Sequence, residues 1–222
     1  MPVPFFEKCG RSRLLSPIFA VKLITMAYTY TKELIDTALS YADYRNHIKE
    51  TLALPPADAT AERMRPHLAS NSALMDQYDR DYRVGAELLN ALSAAPAVTW
   101  LVISEGWCGD AAFNVPLLHV AERALPEKVC LRLVLRDSNP ELMDANLTDG
   151  GRSIPKLIVL GHDLEPLGYW GPRPAGLQTL MKQWKNEGLE LKELIPKVHH
   201  WYDIDKTRSV QRELTRLVTR YS

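Results

Sequence analysis

The sequence predicts an α/β fold. A βαβ unit is followed by a ββα unit, giving a mixed central sheet of four or more strands flanked by helices, with a helical N-terminal extension and a C-terminal helix. Three observations carry that expectation. A continuous apolar run, Val98–Ser104, enters a Trp-Cys-Gly turn and leaves as an amphipathic stretch over 111–125, the pattern of a buried strand feeding a helix. In Val129–Leu135 the residues Val129, Leu131, Leu133 and Leu135 alternate with Cys130, Arg132 and Val134 at the period of a strand. Two further strand-like runs, Lys156–Leu160 and 165–170, are separated only by Gly161-His162-Asp163 and a neighbour, so they must run antiparallel.

Taken in order, the N-terminal half reads as helical. Thr31 is placed to cap a helix whose apolar residues Leu34, Ile35, Ala38, Leu39 and Ala42 recur at helical spacing. A second short helix is expected over 43–52, stopped by Leu54-Pro55-Pro56, and 55–60 reads as a turn. A polar helix over 61–79 should break near Pro66, and over 82–94 Val84, Leu88, Leu89 and Leu92 share one face. After β-type residues 98–104, the helix over 110–125 stops at Pro126. The second strand is followed by a short helix over 140–146 and a loop at Asp149-Gly150-Gly151. The hairpin leads to Ala175–Asn186, with Leu177, Leu180, Met181 and Trp184 on one face and Gly188 beyond its end. A mixed tail over 189–205 precedes a last helix over 206–221, whose narrow apolar set (Val210, Leu214, Leu217, Val218) suits packing on the domain surface. The expected organisation is 1–27 as an upstream extension, 28–95 as a helical region, 96–187 as the core and 188–222 as a tail and helix packed on it.

Composition narrows the function classes. The chain has 222 residues, 27 basic and 27 acidic, and a formal net charge of zero. A nucleic-acid surface would need a basic excess or stripe, so nucleic acid is not an expected partner. Arg208, Arg212, Arg216 and Arg220 recur every fourth residue, but Glu213 interrupts them and a solvated face is the expectation. Three cysteines, at 9, 108 and 130, are too few for a disulfide framework and fit a reducing compartment, so a cytoplasmic location is expected. No run is long enough to span a bilayer. Lys8, Arg11 and Arg13 before a run over 14–27 look faintly like a signal, interrupted by Pro17 and Lys22; export is the alternative if translation starts at Met1 and not at Met26. His199-His200 and His162 lack metal-ligand spacing, and Gly150-Gly151 is not followed by a phosphate-binding signature, so neither a metal nor a cofactor is expected.

The candidate site is the stretch Glu105-Gly106-Trp107-Cys108-Gly109-Asp110-Ala111. Four features resemble the thioredoxin family. Trp107-Cys108-Gly109 matches the start of its Trp-Cys-Gly-Pro-Cys motif. Pro116 sits where its active-site helix carries a proline, Ile154-Pro155 matches its cis-proline, and Gly171 matches a groove-lining glycine. These cover 97–187, and with the helical region they resemble a bacterial branch carrying a Trp-Cys-Gly-Asp variant. The resemblance implies Cys108 as nucleophile, with Trp107, Gly109, Asp110, Ile154, Pro155 and Gly171 around the substrate. It also exposes departures that occur together. Ala111 stands where the second, resolving cysteine would be, Val102 where a buried carboxylate serves that second thiol, and Leu133 where a lysine accompanies it.

A cysteine at a helix N-terminus is favoured as the thiolate, the attacking species in disulfide exchange. Asp110 complements the helix dipole, yet its charge opposes a thiolate at Cys108, so a less acidic sulfur is expected than in the dithiol family. Cys130, within a strand, reads as a small buried hydrophobe. Cys9, in the extension, carries no role. The leading expectation is a monothiol exchange protein. Cys108 would attack a disulfide-bearing or extended peptide substrate, and an external low-molecular-weight thiol such as glutathione would resolve the adduct. The alternative is a redox-inactive binding or chaperone-like module for extended peptides. Glutathione-assisted iron–sulfur binding ranks last. The sequence leaves the oligomeric state open, and no membrane partner is expected.

Overall fold

The computed structural model describes residues 28–222. The expectations for the extension (the signal-like run, the start at Met26, and Cys9) lie outside them. Among the described residues four strands form one sheet in the order β2-β1-β3-β4. They are β1 (Val98–Ser104), β2 (Val129–Leu135), β3 (Lys156–Leu160) and β4 (Pro166–Trp170). β1 runs parallel to β2, and β3 runs antiparallel to both β1 and β4. β1 is hydrogen-bonded on both sides and buried from Trp100 to Ser104, which is why its sequence shows no alternation. The register sets Val102 directly beside Leu133, both wholly buried.

The helical region begins with α1 (Lys32–Thr37), α2 (Tyr41–Ala53), α3 (Ala59–Asp81) and α4 (Ala86–Ala94). The single helix expected over 31–42 is divided. Ser40 accepts from the Asp43 amide and starts α2 afresh, while Leu39 exchanges two backbone hydrogen bonds of 2.8 Å with Leu133 on the outer edge of β2. That bridge caps part of an otherwise open edge. The break expected at Pro66 is absent; α3 runs straight through it. Asp58 caps α3 by accepting from the amides of Thr60 and Ala61 at 2.8 Å. Arg45, almost fully buried, ties α2 to α3 through Asp76 and Asp79.

In the core, α5 (Gly109–Ala124) follows β1 and packs on α3 and β2; α6 (Pro140–Asp144) links β2 to β3, and α7 (Ala175–Asn186) follows the hairpin. The tail expected to be mixed over 189–205 is a regular helix, α8 (Leu191–Asp205), opened by a reciprocal capping box between Glu190 and Glu193. Its Tyr202 stacks on Phe113 of α5 with ring centroids 4.1 Å apart. α9 (Arg208–Val218) buries Val210, Leu214, Leu217 and Val218 against α4 and β4, as its narrow apolar stripe implied. Glu213 does not interrupt the arginine stripe: it turns inward, accepting from the Trp170 indole at 2.7 Å and from the Ala175 amide at 2.9 Å. Cys130 is also corrected. It is partly exposed, because its side of β2 is incompletely covered. No helix among the described residues is long and apolar enough to cross a membrane.

Candidate active site

β1 ends at Ser104, whose hydroxyl lies 3.0 Å from the buried Tyr44 hydroxyl of α2. The chain then turns through Glu105-Gly106-Trp107, closed by the Cys108 amide donating to the Glu105 carbonyl at 3.1 Å. The helical region grips this turn directly. Gly106 lies so close to Ile48 and Leu68 that a Cβ there would sit 2.7 and 2.6 Å from them, and Asn71 of α3 donates to the Gly106 carbonyl at 3.0 Å. On the other side Glu105, nearly buried, accepts from the Asp137 amide at 2.9 Å, and burial raises its carboxyl above the usual range.

Cys108 is the N-cap residue of α5, with extended backbone (φ −80°, ψ 117°). Its thiol donates to the carbonyl of Ile154 at 3.3 Å, and the Ile154–Pro155 peptide is cis. Gly171, just after β4, lets the chain there pack against Pro155. Its φ is +114°, and a Cβ would stand 2.2 Å from the Pro155 carbonyl oxygen, so a side chain fits neither the conformation nor the space. The next peptide, Gly171–Pro172, is also cis. Trp107 is half-buried with the Arg136 guanidinium over its ring, 4.6 Å from the centroid. Gly109 faces open space. Of the predicted site residues, then, Cys108 meets Ile154, Pro155 meets Gly171, Trp107 and Gly109 flank the cysteine along the chain, and Asp110 turns toward α8.

Asp110 is held by groups the sequence did not single out. Arg173 donates to Oδ2 through Nε at 3.0 Å and through a terminal nitrogen. Tyr202 donates its hydroxyl to Oδ1 at 2.9 Å, and Asn114 donates to the Tyr202 oxygen at 3.0 Å. The carboxylate and guanidinium are mostly buried, with side chains 10% and 22% exposed. A carboxylate in the first turn of a buried helix needs a cation, and that requirement was the sole sequence signal for Arg173. Which cation, 63 residues on, depends on how β4 and α7 return the chain.

The electrostatics correct one expectation. Cys108 is only 9% exposed, and burial, reinforced by the Asp110 charge, pushes its thiol up to about 12. The amides of Ala111 and Asp110 and the Arg173 guanidinium pull the other way without prevailing. A helix terminus is worth roughly 0.3–1 kcal/mol, less than the cost of placing an anion in an apolar site. Here the helix start does not by itself make a thiolate.

A cavity of about 420 Å³ opens beside Trp107, between the end of α2 and the start of α3; Leu54, Pro55, Pro56, Met64 and Leu68 complete its wall.

A family model described as thioredoxin matches residues 57–185. Among solved structures, a protein of unknown function from Pseudomonas aeruginosa is 19% identical with a TM-score of 0.55, covering 86% of this chain and 98% of that one. An HIV epitope scaffold is 17% identical with a TM-score of 0.54, covering 84% of this chain and 96% of that one. At these identities the two share its fold. No curated protein matches the chain.

Proposed function

We propose that this chain, which belongs to the thioredoxin family, is a monothiol thiol–disulfide exchange protein with Cys108 as its nucleophile. One observation carries the reading: the Cys108 sulfur stands at the start of α5 and faces the Ile154 carbonyl of the cis Ile154–Pro155 segment at 3.3 Å. In the exchange, the Cys108 thiol gives its proton to solvent and the thiolate attacks one sulfur of a substrate disulfide. A bond forms between Cys108 and that sulfur, and the other sulfur leaves as a thiolate. Ala111 supplies no second thiol. An external low-molecular-weight thiol such as glutathione then attacks the substrate sulfur of the adduct, releasing Cys108 as a thiolate and the substrate as a new mixed disulfide. Ile154 and Pro155 would align the substrate, with Trp107, Gly109 and Gly171 framing its approach and Asp110 setting the charge beside the sulfur. Val102 and Leu133, paired in the sheet where the resemblance would place a carboxylate and a lysine, accord with a site that has no second thiol to deprotonate.

Incubating the protein with a small mixed-disulfide donor and weighing it intact tests this. The parent and Cys130→Ser proteins should each carry an adduct that a small thiol removes, and Cys108→Ser should lose the adduct at that position. Cys130 is partly exposed, so its variant is a needed control. Equal exchange by Cys108→Ser and parent overturns the reading.

A second reading, a redox-inactive module binding extended peptides, is favoured by a specific observation: the burial of Cys108 and the raising of its thiol to about 12. A parent protein that binds peptides but forms no adduct at Cys108 selects it.

A further inference from the structure

The cavity beside Trp107 belongs to no element of the exchange chemistry, yet it shares a wall with it. Trp107 precedes Cys108 and lines the cavity, which makes the cavity a neighbour of the sulfur along the chain. Leu54-Pro55-Pro56, between α2 and α3, and Met64 and Leu68 of α3 also line it. Several of the polar groups in its wall are already engaged. Arg65 is committed to the carbonyls of Leu52 and Leu54, and one oxygen of Asp58 caps α3. Prolines 55 and 56 have no N–H to offer. Most of the remaining lining is apolar, and Leu54, one of the lining residues, has 63% of its surface in water. About 420 Å³ accommodates one large side chain.

We infer that this cavity is a specificity subsite that receives a large apolar side chain of an extended polypeptide, one or two residues from the cysteine that Cys108 engages. The inference rests on the Cys108 reading for its place in the reaction and has its own readout. It assigns a task to the helical region: α2 and α3 fix the Cys108 turn through Gly106 and Asn71, and the loop between them provides the pocket. Burying a large apolar side chain there corresponds to about a tenfold preference or more.

Two peptides test it, identical except for Trp or Gly beside the cysteine, each carrying thionitrobenzoate on that cysteine. Attack by Cys108 on the peptide sulfur forms the protein–peptide disulfide and releases thionitrobenzoate as its coloured thiolate. The full chain should react about tenfold faster with the Trp peptide. The same peptides with serine replacing cysteine should show the same preference in equilibrium titrations. Leu54→Asp, and Leu54→Ser as a milder variant at this exposed position, should each bring the Trp/Gly ratio toward one. Equal rates and equal affinities for the two peptides overturn the subsite while leaving exchange intact. An affinity preference without colour release upholds the subsite and removes the exchange reading. A preference that appears only after residues 1–27 are deleted assigns the cavity to the chain's own N-terminal segment and overturns the proposal.

Discussion

Asp110 places a negative charge within reach of the Cys108 sulfur, and Arg173 and Tyr202 keep it there. Removing the charge while keeping the shape should release the thiol. In Asp110→Asn, the Arg173 guanidinium is left beside Cys108 without its counter-charge, so both changes favour the thiolate. Alkylation of Cys108 by iodoacetamide at pH 8, where the fold is intact, is slow in the parent because burial pushes the thiol up to about 12. A thiol moved down by about one unit reacts about tenfold faster at that pH, and Asp110→Asn should show this increase. Arg173→Met should act oppositely, leaving Asp110 unneutralised and slowing the reaction. An unchanged rate in Asp110→Asn would show that the carboxylate is not felt at the sulfur. At this scale the sequence was a partial guide. The opposing effects of the helix start and Asp110 follow from residues two apart. The deciding quantity, the burial of Cys108, comes from Ile154, 46 residues away, and the hold on Asp110 from residues 63 and 92 away, which no local pattern encodes.

Elements were legible where one periodicity governed them. β1, β2 and the β3–β4 hairpin carry period-two or fully apolar runs, and the helix after Cys108 has a clear stop at Pro126. Legibility failed where two signals competed. Leu39 fits a helical stripe, yet its backbone pairs with the β2 edge; Pro66 reads as a break, yet α3 continues through it. What the helical region does was not legible at all, because it depends on where α2 and α3 touch the Cys108 turn. Their grip on Gly106 makes a direct prediction. In Gly106→Ala the new methyl meets Leu68 at 2.6 Å and Ile48 at 2.7 Å, so both side chains must shift. Overpacking of this kind costs about 1–3 kcal/mol, which urea denaturation reads as a lower midpoint. A loss below about 0.5 kcal/mol would mean that α2 and α3 yield freely and do not fix the turn.

The molecule as a whole titrates asymmetrically. Tyr41, Tyr44, Tyr82 and Tyr202 are buried or nearly so, and burial raises each hydroxyl above its ordinary 10; Tyr30, Tyr78 and Tyr221 are raised to about 12. Cys108 adds a thiol raised to about 12. No equivalent set exists on the acid side among the described residues: the carboxylates moved downward, Asp144 and Asp149, are fully exposed, and Glu105 is moved upward. The sign follows directly. In the unfolded chain these tyrosines lose their protons near 10, while in the folded chain they keep them, so the unfolded state is favoured by each unit of pH above that value. Their stabilisation, and that of Cys108, is complete below about pH 9 and is lost as pH rises toward 12 and beyond. Each buried phenol removes about 1.4 kcal/mol per unit in that window. A domain with a few kcal/mol in reserve should therefore unfold cooperatively between about pH 10 and 12 while changing little between pH 5 and 8. Urea midpoints measured across this range check it, with tyrosine absorbance reporting the ionisation. Tyr44→Phe, which removes a wholly buried phenol at the cost of its bond to Ser104, should lower the midpoint at pH 8 but flatten its fall above pH 10. A midpoint that stays level to pH 11, or that falls first on acidification, would mean that the buried phenols do not govern the stability of this fold.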